Sequence, residues 1–341
     1  MTKVVVISNM HHPLLKPTFS SNYNIEIYLP INIRSRGLSF IINSMFYIKI
    51  VSCCLFRYRG EGVIFNFHYP NVRFLIPIII INIFGGCIKI SIWGSDYFKA
   101  LGLKYKILIW ILHCSKSISV SSSSMLKKLD NLPSDLLKKI VVTPFCIPNI
   151  KDYASVLKRE YSSANENIVL CGTNGSDNQQ FDFITSAISA LPGPSLTRAS
   201  FVFHFGYGGD KEVEIRSALP GFKNFTIDKL MYSGSALINF RAKFDILIQI
   251  QKSDQLSAAM LEHLALGCIV ITGKWLPYDF LEEAGIFFIR IDRPESLQEA
   301  LEGVLNNISY YLEQSKSNRS LIALLFSELE SEKKWNSFLM S

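Results

Sequence analysis

The stretch SDQLSAAMLEHLALG at residues 253–267 combines two carboxylates with the pattern of a short helix. Leu256, Met260 and Leu264 recur every four residues, which predicts a helix with one apolar face. Gly267 suits the left-handed conformation in which many helices stop, and the apolar run 268–272 that follows predicts a strand. The stretch therefore predicts a helix that leads directly into a buried strand.

Glu262 has apolar surroundings on this helix. The residues three and four positions away on either side are all apolar: Ala258, Ala259, Ala265 and Leu266. A carboxylate on such a face needs a partner. Two interpretations remain open. Either Asp254 and Glu262 belong to a functional site, or Ser253 or Asp254 is only the helix cap and Glu262 pairs with an Arg or Lys from a neighbouring helix.

The composition predicts a globular chain with two domains. Its 341 residues are 49% hydrophobic, which is enough for two cores. The segment PFCIPN at residues 144–149 and the polar stretch 151–167 mark a domain boundary. We predict an N-terminal domain at 1–148, a C-terminal domain at 149–320, and a C-terminal helix at 321–341 that crosses back to the first domain.

Positive charge is concentrated in the first half of the chain. Residues 1–150 hold 17 Lys and Arg against 5 Asp and Glu, a net charge of +12, whereas the remainder holds 18 against 23, or −5. The cations of the first half alternate with long aliphatic runs rather than with aromatic platforms. An anionic membrane surface is therefore a better partner than nucleic acid, with solvated surface lysines as the alternative.

Neither of two long apolar segments reaches the roughly 20 consecutive apolar residues that a membrane span requires. The segment 38–56 is interrupted by polar residues and flanked by arginines, which predicts a helix lying on an anionic surface, and the segment 74–84 contains a proline. The first apolar run is too short for a signal peptide, and the seven cysteines show no C-x-x-C spacing. These features predict a cytoplasmic protein with reduced cysteines, peripherally attached to the inner face of the cell membrane.

Polar residues follow the predicted strands of the first half. His11 and His12 come after the first strand, His68 after the strand 62–67, and Asp96 after the strand 87–93. In an open parallel sheet the ligand site lies beyond the carboxyl ends of the strands, so these residues are candidate site residues. Turns and helix starts are the better explanation for any single one of these residues, but not for the whole set.

The second half repeats the α/β pattern. A strand at 168–171 leads into the loop GTNGSDNQQ at 172–180 and then a helix, and a later strand ends in GYGGD at 206–210. Backbone amides of such loops can bind phosphate oxygens. The loop fits neither G-x-G-x-x-G nor a P-loop, which argues against a dinucleotide oxidoreductase and against an NTPase.

Asp254 and Glu262, with seven residues between them, resemble the E-x7-E signature of retaining GT-B glycosyltransferases of the family-4-like group. The segment WGSD at 93–96, the loop 172–180 and the strand end at 205–207 resemble, more narrowly, bacterial transferases that add an acetamido-dideoxy sugar to lipid-linked enterobacterial common antigen. The resemblance implies two Rossmann-like α/β domains facing each other across a cleft. The first would bind the acceptor at the membrane, and the second the nucleotide-sugar donor.

By this resemblance Glu262 binds the ribose hydroxyls, and Asp254 contacts the donor sugar. The remaining donor contacts implied lie in three segments: Gln255, Leu256 and Ser257; Gly172, Asn174, Gln179 and Gln180; Gly206 and Tyr207. The sequence departs from the family pattern because the first acidic residue is Asp and because no clear Arg and Lys pair stands at the phosphate positions. Gln179, Gln180 and loop amides are one substitute for that clamp, and Arg241 and Lys243 are another.

The implied function is transfer of a sugar from a nucleotide-sugar to a lipid-linked or oligosaccharide acceptor in bacterial surface polysaccharide synthesis, such as O-antigen or capsule. No metal-binding motif is obvious, so we expect a metal-independent reaction without a cofactor. Inversion needs a base, for which Asp96, His11, His12 and His68 are candidates, whereas Asp254 and Glu262 favour retention. The alternatives are a GT-B sugar-nucleotide epimerase and a non-catalytic GT-B-like subunit. We also expect Glu262→Ala to abolish transfer without disturbing the fold.

Overall fold

The computed structural model describes residues 3–10, 24–33, 35–59, 61–156 and 167–340. The chain divides into two compact units. Met1–Pro148 together with Glu328–Ser341 form the first unit, and Asn149–Ser327 form the second unit. His11 and His12 lie outside the described residues.

The first unit contains a six-stranded sheet in the order β2-β1-β3-β4-β5-β6, with every neighbouring pair parallel. The strands are β1 (Lys3–Ser8), β2 (Asn24–Tyr28), β3 (Val63–His68), β4 (Cys87–Ser91), β5 (Ser117–Val120) and β6 (Ile140–Val142). The described helices of this unit are Arg36–Arg57, Leu75–Ile83, Ser95–Phe98, Leu103–His113, Ser123–Lys127, Ser134–Leu137 and Glu328–Met340. A 3₁₀ turn spans Val72–Phe74.

The second unit has a second parallel sheet in the order β12-β11-β10-β7-β8-β9. Its strands are β7 (Asn167–Cys171), β8 (Ala199–His204), β9 (Phe225–Asp228), β10 (Ile246–Gln249), β11 (Ile269–Gly273) and β12 (Ile289–Ile291). Its described helices are Ile150–Ser155, Phe181–Ser189, Gly193–Leu196, Glu212–Ala218, Gly234–Arg241, Ala258–Ala265, Asp279–Glu283, Leu297–Asn306, Ile308–Ser315 and Asn318–Leu325. Short 3₁₀ turns lie at Asp177–Gln179 and Pro294–Ser296.

Helices cover both faces of each sheet, which fits the long apolar runs of strands such as β1 and β11. In the first unit, one face packs on a large core, and the other packs on the helix Glu328–Met340 through Trp335, Phe338 and Leu339. All seven cysteines are free thiols, and four of them are buried. The structure confirms the predicted α/β class with two doubly wound halves.

The structure differs from the sequence-based prediction in three elements. Strand β2 was not predicted, because it is a five-residue edge strand containing Asn24 and Glu26. The predicted final helix is two helices, Asn318–Leu325 and Glu328–Met340, and the second belongs to the first unit. The cap of the helix in the opening stretch is Ser257, whose hydroxyl accepts from the Met260 amide at 3.2 Å, rather than Ser253 or Asp254.

Candidate functional site

Two glycine-bearing loops interlock at the carboxyl edge of the sheet in the second unit. The loop after β7 contacts the loop after β8 because the Gly175 amide donates to the Tyr207 carbonyl at 2.8 Å. A Cβ on Gly175 would lie 1.9 Å from the Gly209 carbonyl oxygen, so only glycine fits there. Asn174 adds a hydrogen bond from its amide to the Tyr207 hydroxyl at 3.3 Å. The predicted donor residues Gly172, Asn174, Gly206 and Tyr207 therefore belong to one loop cluster.

The segment after β10 joins this cluster through side-chain amides. The Asn178 amide donates to the Ser253 carbonyl at 2.9 Å, and Gln180 donates to the carbonyl of Ile250. Gln180 has a left-handed backbone, with φ of 58°, which is uncommon for a residue other than glycine. Gln179 is fully buried and bonds Thr173. These two glutamines hold the loops together, and their contact with phosphate stays a prediction.

Glu262 is buried on the helix Ala258–Ala265 and forms an ion pair with Arg241, the last residue of the helix Gly234–Arg241. Burial lowers the pKa of Arg241, whereas the Tyr153 and Tyr207 hydroxyls act in the opposite direction. Arg241 therefore lies near the loop that carries Tyr207. The structure has the ion pair that the simpler interpretation of Glu262 requires, and it places the pair beside the loop cluster.

Asp254 is held by hydrogen bonds at the carboxyl end of β10. Its carboxylate accepts from the Gln255 amide at 2.8 Å and the Tyr278 hydroxyl at 2.8 Å, and it also bonds the Leu256 amide. Burial raises the pKa of Asp254, and these bonds oppose the increase. The Gln255 and Leu256 amides, predicted as pyrophosphate contacts, are thus bound to Asp254 in this state. The Ser257 hydroxyl accepts from the Met260 backbone amide and from the Gln249 side-chain amide.

Two lysines near the loop cluster are already paired with carboxylates. Lys211 contacts Asp177 at 2.7 Å and Glu214 at 2.9 Å, and Lys229 contacts Asp210 at 2.7 Å. Lys243, the other cation considered for the phosphates, is exposed. Lys211 lies closest in the chain to the loops and bridges the two of them, because Asp177 belongs to the first loop and Lys211 follows the second.

His204, at the end of β8, faces two backbone carbonyls. Its Nδ1 lies 3.3 Å from the Thr173 oxygen and its Nε2 lies 2.9 Å from the Leu230 oxygen. Both ring nitrogens therefore face a hydrogen-bond acceptor, because carbonyl oxygens only accept. His204 thus ties the loop after β7 to the segment after β9.

In the first unit, Trp93 connects His68 and Asp96. The Trp93 indole donates to His68 Nδ1 at 3.0 Å, and its backbone amide donates to the Asp96 carboxylate at 3.0 Å. The indole packs between Tyr69 and Phe145, with ring centroids 4.9 and 5.6 Å away. Both of its faces are covered, so the tryptophan of the WGSD segment is a framework residue.

His68 is fully buried in a polar network. Its Nε2 lies 3.0 Å from the Asn66 amide, which also bonds Ser91, and Ser91 in turn bonds Ser119. An indole N–H can only donate, so Nδ1 of His68 accepts this bond. Protonating Nδ1 breaks the bond to Trp93. In this arrangement His68 holds the Trp93 indole, and its role as a base stays a prediction.

Asp96 is the strand-end group of the first unit with the means for proton transfer. Burial raises its pKa to about 7, against the effect of the backbone amides of Trp93 and Tyr97 that donate to it. A pKa near neutrality is what a general base or acid requires. Among the described residues, no group of three or more His, Cys, Asp or Glu side chains is arranged to hold a metal ion.

Sequence reasoning did not single out Tyr278 and His204. Tyr278 lies in the loop after β11, whereas His204 is the polar last residue of an aromatic strand. His204 could have been singled out from the sequence, because it is a polar side chain in a buried strand next to GYGG. The contact of Tyr278 could not, because it forms only when the chain folds.

Compared with models of known protein families, the sequence matches none, and compared with curated proteins it matches none either. Solved structures match over the full length. HepE of Anabaena, in complex with UDP, has a TM-score of 0.72 at 10% identity and covers 99% of each chain. Sucrose-phosphate synthase of Thermosynechococcus elongatus has a TM-score of 0.71 at 11% identity, covering 98% of each. A UDP-forming trehalose-phosphate synthase of Burkholderia xenovorans has a TM-score of 0.71 at 9% identity, covering 100% of this chain and 98% of its own. This chain therefore has the GT-B fold of such glycosyltransferases.

Proposed function

We propose that this protein is a glycosyltransferase that moves a sugar from a nucleotide-sugar donor to a lipid-linked or oligosaccharide acceptor. The supporting observation is the match of both units together, end to end, with solved glycosyltransferases. Among these, HepE has been solved with UDP, with UDP and glucose, and with UDP-glucose. A uridine diphosphate sugar is accordingly the first donor to test.

The donor site in this proposal is the carboxyl edge of the sheet in the second unit. In this proposal backbone amides of the interlocked loops at 172–176 and 206–210 contact the donor, although the Gly172 and Gly175 amides already bond carbonyls of the chain. Glu262 has two acceptor oxygens for a pair of ribose hydroxyls. Its ion pair with Arg241 fixes the carboxylate, and ribose binding uses lone pairs that the guanidinium does not occupy.

The leaving nucleoside diphosphate needs positive charge or amide donors near its phosphates. In this proposal the loop amides donate hydrogen bonds to the phosphates. Lys211 supplies positive charge by leaving one of its carboxylate partners to pair with a phosphate. Asp254 contacts the donor sugar through the carboxylate that Tyr278 orients at 2.8 Å. The reaction is proposed to need no metal.

Asp254 and Glu262 support retention of configuration, which needs no base from the first unit. Asp96 in the first unit is the residue proposed to take the acceptor proton if the reaction inverts instead, since its pKa of about 7 fits that role. The linkage formed in the product separates these two outcomes.

The cellular role in this proposal is bacterial surface polysaccharide synthesis at the inner face of the cell membrane. The positive charge of residues 1–150 supports attachment to anionic lipid. The resemblance to transferases of enterobacterial common antigen makes an acetamido-dideoxy hexose a second donor to test.

The test is a thermal-shift panel of nucleoside diphosphates and sugar nucleotides, followed by an assay for released nucleoside diphosphate. One base should stabilise the protein, by about 2.7 kcal/mol at a ligand concentration 100 times Kd. Glu262→Gln should lose this stabilisation, and Glu299→Gln, on an exposed helix face, should keep it. Equal stabilisation in both variants contradicts the proposed ribose contact. Binding without any transfer to lipid or oligosaccharide points to the non-catalytic alternative.

A further inference from the structure

Three helices of the first unit pack side by side on one core and form its outer helix layer: Arg36–Arg57, Leu75–Ile83 and Leu103–His113. Among the described residues, Gly37–Arg57 is the helix with the length and apolar composition to cross a membrane, which alone is weak evidence of a span. The packing of this long helix is more informative than its composition.

The long helix is fixed to the sheet along one side. Asn43, Tyr47, Ile50 and Cys54, spaced three or four residues apart, are buried on that side. The Tyr47 hydroxyl donates to the Ser8 carbonyl at the end of β1 at 2.9 Å. A helix held in this way lies along the unit, so its apolar composition is not explained by a membrane span.

The opposite side of the same helix is apolar and exposed, and its neighbours continue the surface. Phe56 is 81% exposed and Ile83 is 74% exposed. The other large apolar side chains of the layer that are at least half exposed are Leu38, Ile41, Met45, Ile76, Phe84 and Leu103. Soluble proteins rarely leave a contiguous apolar surface of this extent uncovered.

Every charged side chain on the layer is cationic. The three helices contain no Asp or Glu, and Lys49, Arg57, Lys104 and Lys106 are exposed on them. Acidic groups adjoin the layer at two helix ends: Glu26 lies 3.6 Å from Arg57, and Asp135 lies 3.1 Å from His113. Glu61 follows the long helix. Apolar side chains among cations complement an anionic lipid surface, whereas two copies of this layer would repel each other.

A groove of about 630 Å³ lies in the layer, between the end of the long helix and the helix Leu75–Ile83. Its walls include Leu55, Phe56, Ile80 and Phe84, and the charged side chains Arg59 and Glu61 also line it. The volume is within the range of small-molecule sites, roughly 300–1,000 Å³. Gly62 lines the groove, and a Cβ built there would meet no atom within 4 Å.

We propose that the outer helix layer docks on an anionic bilayer and that this groove takes one hydrocarbon chain of a phospholipid. The inference rests on the membrane attachment within the proposed function and specifies the surface that performs it. The apolar side chains enter the acyl boundary, and Lys49, Lys104 and Lys106 stay at the level of the phosphates.

The first experiment is flotation of the full chain with phosphatidylglycerol-containing vesicles and with phosphatidylcholine vesicles. The chain should float with the anionic vesicles. The double variant Ile83→Ser/Phe84→Ser should partition at least about tenfold less. Val213→Ser/Leu324→Ser, at exposed apolar positions of the second unit, should match the wild type. Lys104→Glu should weaken partition roughly fivefold or more, and Lys223→Glu, in the second unit, should not.

Brominated lipids give an independent readout of the docked face. Trp110 lies on the outer helix layer and is 39% exposed, whereas Trp335 is buried elsewhere in the unit. Vesicles of brominated phosphatidylglycerol should quench the fluorescence of the wild type but quench Trp110→Phe much less. Three results would overturn the inference. These are equal quenching of the wild type and Trp110→Phe, absence of flotation, and a concentration-dependent dimer that Ile83→Ser/Phe84→Ser abolishes.

The groove is tested with phosphatidylglycerol that carries a photoreactive group on one acyl chain. Cross-links should map to the wall segments 52–63 and 80–87, and Gly62→Leu should remove them while flotation persists. Cross-links that survive Gly62→Leu, or that map elsewhere, overturn the assignment of the groove. Nucleotide binding is measured on the same preparations, so loss of donor binding with intact flotation counts against the proposed function and not against this surface.

Discussion

The buried ion pair of Arg241 and Glu262 provides a prediction that can be worked out in free energy. Both side chains are largely inaccessible, at 14% and 8% of their full exposure. Removing one partner leaves the other charge buried and uncompensated, which costs about 3–5 kcal/mol of the free energy of unfolding. Glu262→Gln and Arg241→Met should each lose about this much.

The double variant Arg241→Met/Glu262→Met should lose much less than the sum of the single variants. Replacing both members of a buried pair with apolar groups is often close to neutral, because it also removes the desolvation penalty. The coupling free energy from the cycle should therefore be about 3 kcal/mol or more. The pair Lys316 and Glu313 in the same unit is the control, since it is 70% and 65% exposed and should couple by less than about 1 kcal/mol.

Urea unfolding of each variant gives these free energies, and hydrogen exchange of peptides covering 246–272 reads the second unit separately from the first. This separation is needed because two units do not necessarily unfold in one step. A coupling as small as that of the exposed control would refute the inference that the pair is buried and mutually dependent. The structure also changes the expectation for Glu262→Ala, which should destabilise the second unit as well as impair nucleotide binding.

Three further predictions concern the frameworks of the two units. Burial raises the pKa of Asp96 in the folded state to about 7, so between pH 4 and pH 7 the native state binds more protons than the unfolded state, and stability falls as pH rises. Asp96→Asn should remove about 1–3 kcal/mol of this fall, measured by urea unfolding across that pH range. Identical pH profiles of the variant and the wild type would contradict this prediction. Trp335→Ala removes the ring stacked on His68, with 5.8 Å between the ring centroids, and should lower the unfolding free energy of the first unit by about 3–5 kcal/mol. A loss below about 1 kcal/mol would show that the last helix is not part of the core of the first unit. Gly175→Ala places a methyl group against the Gly209 carbonyl and should weaken nucleotide binding with little effect on the first unit, and unchanged affinity measured by calorimetry would place the donor elsewhere.

The strands were predictable where the sequence has continuous apolar runs. The predicted strand at 168–171 lies within β7, Asn167–Cys171, and Gly267 has the predicted left-handed φ of 71°. Strand β2 was not predictable in the same way, because an edge strand of alternating Ile and polar residues is too short to show a period. The break before Glu328 has no proline or glycine, so it follows from the packing of the last helix on the first unit.

The sequence predicted which residues lie together at the carboxyl edge of the second sheet, but not how they contact one another. The residue types at the strand ends indicated the loops and the carboxylates, because parallel strands share one carboxyl edge. The side-chain partners of the two carboxylates could not be predicted from the sequence. Arg241 precedes Glu262 by 21 residues, and Tyr278 follows Asp254 by 24, so neither pairing leaves a local pattern. Gln179 and Gln180 were expected to face a ligand, and the folded chain uses them to join its own loops.

Hydrogen exchange of the full chain with and without UDP tests most directly whether the second unit binds a nucleoside diphosphate at its carboxyl edge. We expect slower exchange in three segments together, 172–176, 206–210 and 255–262, with the effect lost in Glu262→Gln and kept in Glu299→Gln. If UDP fails, GDP, ADP and dTDP are tested in the same way. Protection confined to other segments, or no protection by any of the four, would contradict the proposed donor site.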